Sequence, residues 1–178
     1  MHLTIGQKVA YPNQGICLVE ELRERTVGET SLNGYNLRVL GDNSTIFVPE
    51  DNTDSVGLRP LISRSQCRQL LDELSMDFEP CSDDWKTRSK EFFEKLHSGD
   101  VFAAADVLKK LTYLSFDKKL SFREQTMLEK AKFLVVSEIQ NASRQKETAT
   151  ETDVISLVES ACLNHRRIEL RELSVSVH

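Results

Sequence analysis

The residue with the most specific chemistry in this sequence is Trp85, the only tryptophan among 178 residues. Three basic side chains, Lys86, Arg88 and Lys90, follow within five positions. An indole can stack on nucleic-acid bases or insert between base pairs, and neighbouring cations can neutralise phosphates. The segment therefore predicts either a core side chain beside a solvated basic run or a contact with nucleic acid.

Helical periodicity brings Trp85 close to two apolar residues further along the same segment. At 100° per residue, Trp85 falls about 20° from Phe92 around the helix axis, and Leu96 lies on the same stripe. Periodicity alone thus favours a core position for Trp85. Its place in the first turn and the basic neighbours favour an accessible side chain, so we expect a half-buried indole with an exposed outer edge.

The charge of the chain is unevenly distributed. The net charge is −5 overall, which disfavours unaided binding to DNA because such binding depends largely on neutralising phosphates. Residues 1–60 carry a net charge of −3, whereas residues 86–132 carry +4. A small basic patch predicts modest, salt-sensitive DNA binding that needs a second point of attachment.

The residue types needed for catalysis do not form a recognisable set. The sequence contains no glycine-rich phosphate loop, GxSxG or HExxH motif, and its four histidines share no motif, so we expect them at the surface or at helix caps. Its four cysteines show no CxxC spacing, which favours reduced thiols over a disulfide framework or zinc site. We therefore expect a non-enzyme without metal or cofactor.

Without a signal-peptide pattern or a long apolar run, the cytoplasm is the expected compartment and no membrane contact is expected.

The first sixty residues have the pattern of short antiparallel strands. Alternating runs rich in β-branched and aromatic residues predict strands near 8–11, 15–22, 35–40 and 45–49. Turn-forming residues separate them at 12–15, 33–34 and 41–44. This pattern predicts a small SH3-like or Tudor-like β-barrel that leaves one strand edge able to pair with a partner.

The pattern becomes helical after residue 62. Ser63 is the expected cap of a helix to about residue 74, Pro80 and Ser82 introduce a helix over 83–97, and Ser121 caps a long one. Further helices are expected over 100–113 and 152–164, with a polar linker near 141–151. The predicted fold class is α+β: an N-terminal barrel (1–60), a helical domain (63–165) and a tail (166–178) of no assigned structure or role.

Four segments, in the same order, resemble the CarD/CdnL family of bacterial transcription regulators. They are the GQKVAYPNQG run at 6–15, IFVPEDN at 46–52, the segment from WKTRSK to EKLHSGD at 85–100, and LSFRE with MLEKAK at 120–132. The resemblance extends over about residues 3–162.

The resemblance implies that the protein binds both RNA polymerase and promoter DNA, so that polymerase supplies the second point of attachment. In this family an N-terminal Tudor-like domain pairs a strand with the β subunit of RNA polymerase, and a helical domain contacts upstream promoter DNA. The family's tryptophan, matched here by Trp85, inserts into the minor groove at the upstream edge of the transcription bubble and stabilises the open complex. Arg88 and Lys90 match basic family positions and are expected at phosphates, with Lys86 and Arg123 assisting.

On the polymerase side, the resemblance points to Arg25 and to the strand residues Ile46, Phe47 and Val48. Some members carry a basic residue where Phe47 stands, so a more apolar polymerase contact is implied here. Gln125 likewise replaces a residue that is basic in some members. The alternative for the strand residues is plain packing within the barrel.

Two other functions are compatible with the residues. One is a protein-interaction module whose barrel binds another partner, such as a repair translocase, without a DNA role. The other is a sequence-specific helix-turn-helix repressor, which the small basic patch disfavours. The expected regulator is a monomer that binds DNA largely without sequence specificity and reaches the nucleoid through RNA polymerase.

Overall fold

The computed structural model describes residues 2–28, 30–142 and 149–175. The strands are β1 (Lys8–Tyr11), β2 (Gly15–Val27), β3 (Thr30–Val39), β4 (Thr45–Pro49) and β5 (Arg59–Pro60). A single 3₁₀ turn (Glu50–Asn52) lies between β4 and β5. The helices are α1 (Arg64–Ser75), α2 (Trp85–His97), α3 (Val101–Asp117), α4 (Phe122–Ala142) and α5 (Glu151–Val175). An antiparallel sheet followed by helices confirms the α+β fold class.

The strands form one sheet in the order β4-β3-β2-β1-β5, with antiparallel neighbours throughout. In the described part of the chain β4 pairs only with β3, so the sheet is not closed by backbone pairing between β4 and β5. A register shift between Val19 and Glu21 interrupts the long β2–β3 ladder. The consequence for function is that β4 is an edge strand with one row of backbone groups available to a partner.

The turn expected at Asn33 and Gly34 is wrong, because both residues lie inside β3. Gly34 is a strand residue for a packing reason: a Cβ there would lie 2.6 Å from Cζ of Phe47 and 2.5 Å from the carbonyl oxygen of Val48. Glycine marks a close approach here rather than a reversal of the chain.

Side-chain caps define where the helices begin. Ser63 and Gln66 form a capping box at α1, with 3.3 Å from the Gln66 amide nitrogen to Ser63 Oγ and 2.9 Å from the Ser63 amide nitrogen to Gln66 Oε1. Ser121 and Glu124 form the same reciprocal pair at α4. The cap of α2 is Asp84 rather than the expected Ser82, so α2 begins at Trp85, two residues later than predicted.

The helical part has its own apolar core, distinct from that of the sheet. Its fully buried centre includes Leu70, Phe92, Leu111, Val135 and Val158, one from each helix. Each helix thus contributes a stripe at helical spacing, as the sequence predicted.

The last helix is longer than predicted, since α5 continues to Val175 through most of the expected tail. Its second half is attached by His165, which is buried at 6% exposure rather than at the surface. The His165 ring lies 2.5 Å (Nδ1) from an Asp77 carboxylate oxygen and stacks on Phe78 at 4.5 Å between centroids. One turn further, Glu169 accepts a hydrogen bond from the Tyr113 hydroxyl.

A buried ion pair joins the sheet to the helices. The Arg59 guanidinium donates to both carboxylate oxygens of Glu138, at 2.5 and 2.7 Å, and the Ile62 amide donates to the same carboxylate at 3.1 Å. Glu138 is 3% exposed, so its negative charge depends on these donors.

An aromatic contact strengthens the same junction. The ring of Phe133 on α4 lies against Gly15 and Gly41, where a Cβ would approach the ring to 2.8 and 2.6 Å. Only a residue without a side chain leaves room for the ring at these two positions. An ion pair between Glu124 of α4 and Arg88 of α2 attaches the same helix to the first turn of α2, so α4 supports both the sheet and the start of α2.

Candidate nucleic-acid interface

Trp85 is the first residue of α2, and its exposed fraction is 59%. The Asp84 carboxylate accepts hydrogen bonds from the Thr87 amide at 2.9 Å and the Thr87 hydroxyl at 2.6 Å, which anchors this end of the helix. Lys86 Nζ lies 5.9 Å from the centre of the indole ring. The indole is thus accessible to a ligand while its backbone is held in place.

A groove of about 470 Å³ opens beside the indole, between the first turns of α2 and α4. Its lining consists of Trp85, Arg88, Ser89, Phe92, Lys118, Ser121, Arg123, Glu124 and Met127. The expected stripe is confirmed in part, because Phe92 forms the buried end of the same helical face as Trp85. Leu96 lies one turn further on and lines a neighbouring groove instead.

Arg88 is not an exposed phosphate contact, contrary to the expectation from the resemblance. It is 4% exposed, and its guanidinium donates to the carbonyl oxygens of Ser82 at 2.7 Å and Asp83 at 3.2 Å. It also pairs with a Glu124 carboxylate oxygen at 3.0 Å. Through these three hydrogen bonds Arg88 connects the segment before α2 to the start of α4 and fixes the first turn of α2, which begins at Trp85.

Glu124 is the anionic partner in this arrangement. Burial raises the pKa of its carboxyl group, but hydrogen bonds from Ser121 and Arg88 outweigh that effect and lower the pKa to about 2. Lys118 Nζ lies 3.7 Å from the same carboxylate. Glu124 is therefore ionised at neutral pH, and its charge is compensated by neighbouring cations.

The other predicted DNA contacts are on the surface. Lys86, Lys90 and Arg123 are all exposed, and Lys90 has a distant ion pair with Glu94 at 3.9 Å while its side chain remains 79% exposed. Arg123 forms no ion pair within the described ranges. Arg123 lines the groove, whereas Lys86 and Lys90 lie on the exposed surface of the first two turns of α2. All three side chains are accessible to phosphates.

Two exposed aromatic residues near Trp85 were missed as site residues. Phe122, the first residue of α4, is 85% exposed, and Phe93 on α2 is 48% exposed. Both line a second groove of about 700 Å³, which shares Arg123 with the groove beside Trp85. A sequence signal existed for Phe122, since it follows the cap Ser121 as Trp85 follows the cap Asp84.

The predicted polymerase surface lies on the sheet. The Phe47 ring lies across Gly34, and the Arg25 guanidinium carbon is 5.5 Å from the ring centre. Val48 is 2% exposed and Ile46 packs against the sheet core, so their side chains face inward. Phe47 at this edge and Arg25 on β2 present side chains on the outer face of the sheet. Val48 can present only backbone groups to a partner, and Ile46 is partly buried on the inner face.

The architecture thus has an N-terminal sheet with one unpaired strand edge and a helical part with an exposed indole beside a groove. Family models agree with that division. Residues 3–62 match the CarD-like/TRCF RID domain, and residues 69–155 match the CarD C-terminal domain. The chain belongs to the CarD/CdnL family of transcription regulators.

Two relatives illustrate the similarity. Over 136 residues the chain is 24% identical to "Putative transcription factor YdeB" of Bacillus subtilis (strain 168), covering 76% of this chain and 89% of that protein. It is also 32% identical to the solution structure of the 72-residue N-terminal domain of Myxococcus xanthus CarD. That match has a TM-score of 0.29 and covers 33% of this chain and 79% of the other.

Two further features are absent among the residues that the structure describes. None of their helices is long and apolar enough to cross a membrane. No group of three or more potential ligands among them has a metal-binding arrangement.

Proposed function

We propose that this transcription regulator binds the β subunit of RNA polymerase through its sheet edge and upstream promoter DNA through the start of α2 and α4. By holding both, it stabilises the open promoter complex. The polymerase-binding part corresponds to residues 1–60 and the DNA-binding part to residues 63–165. The protein acts as a monomer in the cytoplasm and reaches the nucleoid through the polymerase.

The polymerase side of the proposal is supported by the unpaired edge of β4. A strand from the partner can continue the sheet through backbone hydrogen bonds, and alternate side chains then provide specificity. Phe47 and Arg25 are on the outer face of this edge, where an apolar ring under a guanidinium forms a compact contact.

The DNA side depends on one observation above all: Trp85 is 59% exposed yet starts a helix whose first turn is anchored by the buried Arg88–Glu124 pair. A large exposed indole on a rigid base is suited to insertion between base pairs, because little conformational freedom is lost on binding. Lys86, Lys90 and Arg123 supply charge for phosphates on either side.

The mechanism is differential binding to two states of the promoter. An inserted indole favours DNA whose stacking is already broken, so it binds the melted state better than the closed one. A preference of about 1.4 kcal/mol shifts the closed-to-open equilibrium roughly tenfold. Because α4 supports both the sheet junction and the groove, attachment to polymerase fixes where the indole meets the DNA.

The proposal can be tested on a promoter whose open complexes are short-lived, by measuring the lifetime of those complexes. Trp85→Ala should shorten the lifetime several-fold without weakening polymerase binding, whereas Trp85→Phe, which keeps a ring, should lose less. Phe47→Glu should abolish the effect by weakening polymerase binding instead. An unchanged lifetime with a folded Trp85→Ala protein would remove the role assigned to the indole.

A further inference from the structure

The groove beside Trp85 has the dimensions of a small-molecule site. Its volume of about 470 Å³ falls within the range of roughly 300–1,000 Å³ that is common for such sites. Phe92 and Met127, at 0% and 8% exposure, form an apolar floor, and the exposed indole forms one wall. A planar aromatic ligand can stack here, whereas a DNA duplex is far too large to enter.

One buried hydroxyl in the groove has no partner. Ser89 is 9% exposed, and within the described residues its Oγ forms no hydrogen bond. It lies four residues after Trp85 and three before Phe92, so it is on the face of α2 that lines the groove. A serine hydroxyl both donates and accepts, which suits the mixed donor and acceptor edge of a nucleobase.

The remaining polar groups of the groove are already satisfied. Arg88 and Glu124 bind each other, and the Ser121 hydroxyl donates to Glu124 at 2.7 Å. Two cations stand at the rim: Lys118, whose side chain is 48% exposed, and Arg123, which is exposed. The groove thus combines an apolar floor, one unsatisfied hydroxyl and a cationic rim.

We propose that this groove binds a single unpaired nucleobase of melted DNA, stacked against Trp85 and hydrogen-bonded to Ser89 Oγ, with its phosphates near Lys118 and Arg123. The inference rests on the proposed function and deepens it. A base within a duplex is stacked on both faces and paired at its edge, so it cannot enter. At the border of a melted region a base is already unpaired, so moving it out of the stack requires little further free energy.

Because Trp85 is the sole tryptophan, its fluorescence reports directly on the groove. Three short duplexes should be titrated into the full-length protein at low salt: one fully paired, one with a single unpaired thymidine, and one with an abasic site in place of that thymidine. We expect the unpaired thymidine to quench Trp85 and to bind several-fold more tightly than the other two. Equal binding of the thymidine and abasic duplexes would overturn the proposal.

Ser89→Ala tests the hydroxyl. Since that group has no partner, its removal should leave the free energy of unfolding unchanged while reducing the preference for the unpaired thymidine about three- to tenfold. Ser89→Thr should retain most of the preference, and Ser160→Ala, at an exposed position on α5, should retain all of it. An unchanged preference in folded Ser89→Ala would exclude Ser89 from recognition.

Free thymidine monophosphate separates a DNA base from a soluble nucleotide as the natural ligand. It should quench the fluorescence of Trp85 far more weakly than the duplex with the unpaired thymidine. Equal quenching by the two would assign the groove to a soluble nucleotide and overturn the proposal. If the protein prolongs open complexes but shows no preference for the unpaired thymidine, the nucleobase site fails and the proposed function stands. Loss of the lifetime effect itself would instead contradict the proposed function.

Discussion

The sheet surface around Phe47 and the helical surface around Trp85 each combine an aromatic ring with an arginine, but the two arginines differ in their surroundings. On the sheet, Arg25 is exposed and its guanidinium lies 5.5 Å above the ring of Phe47. On the helices, Arg88 is buried and its guanidinium is held by two carbonyl oxygens and Glu124. Arg25 is therefore accessible to a partner, whereas the buried Arg88 can only support the neighbouring Trp85.

The rings of Phe47 and Trp85 are kept accessible in different ways. Phe47 lies flat because Gly34 leaves space beneath it, so its exposure is limited by the strand. Trp85 projects from a helix end, and a projecting indole needs a fixed base. A buried ion pair with several hydrogen bonds provides such a base, although its formation carries a desolvation cost.

The largest expected effect comes from removing the buried arginine. Arg88→Ala should lower the free energy of unfolding by about 3–5 kcal/mol, because it leaves the largely buried Glu124 carboxylate without its nearest cation. The matched change on the sheet, Arg25→Ala, should cost no more than about 1 kcal/mol, since it removes one exposed cation–π contact. Urea denaturation measures both. Similar losses for the two variants would contradict the distinction between them.

The Arg88–Glu124 ion pair should make the free energy of unfolding sensitive to acid. The pKa of Glu124 in the folded protein is about 2, well below the usual value of 4.5 for a glutamate, so the ionised carboxylate stabilises the fold at pH values above the unfolded-state pKa. That contribution, about 3 kcal/mol, should be lost as the pH falls from about 5 to about 2.

Glu124→Gln should flatten the dependence of unfolding free energy on pH within that window. Glu94→Gln is a suitable control, because Glu94 is exposed and its ion pair is long. An identical acid transition in wild type and Glu124→Gln would show that the Glu124 carboxylate does not contribute to it.

On the sheet, the sharpest test is the glycine beneath Phe47. Gly34→Ala would bring a Cβ to 2.6 Å from the ring and should destabilise the protein by about 1–3 kcal/mol while displacing Phe47. Polymerase affinity, measured by co-purification or interferometry, should fall as well. Asn33→Ala, at the exposed neighbouring position, should leave both quantities near wild type.

The smallest expected effect belongs to an exposed cation of the helical surface. Lys90→Ala should change the free energy of unfolding by less than about 0.5 kcal/mol but reduce the slope of log affinity for DNA against log salt by about 0.9. Lys8→Ala, on the sheet, should leave that slope unchanged. A slope unaffected by Lys90→Ala would remove this residue from the DNA contacts.

Local patterns predicted much of this architecture, with errors where distant residues intervene. The strands at 8–11 and 45–49 were predicted within their observed bounds, because they depend on alternation and adjacent turn residues. Gly34 was misassigned because its role depends on Phe47, which packs from the next strand. The sequence alone does not predict the continuation of α5 beyond residue 165, because the pair between His165 and the remote Asp77 forms only in the folded protein.

The candidate site shows the same limit at the level of single residues. Arg88 stands three positions after Trp85 and four before Phe92, so at 100° per residue an inward-facing Arg88 is compatible with helical geometry, but its charge favoured an exposed position. Only the position of Glu124, 36 residues later, decides that a charged side chain is stable there. The groove and the unpartnered Ser89 likewise require both helices to be in place.

Sequence patterns were sufficient for most of the strands and helices of this protein, for the local charge around Trp85 and, through ordered motifs, for its family. These features depend on residues close together in the chain, where spacing and propensity are sufficient. The tertiary structure alone decided which cations are exposed, which arginine supports the indole, where the sheet leaves an edge and how α4 joins the two surfaces. Burial and ion pairing between distant segments set those outcomes, because a charge is stable inside a protein only where folding brings a partner to it.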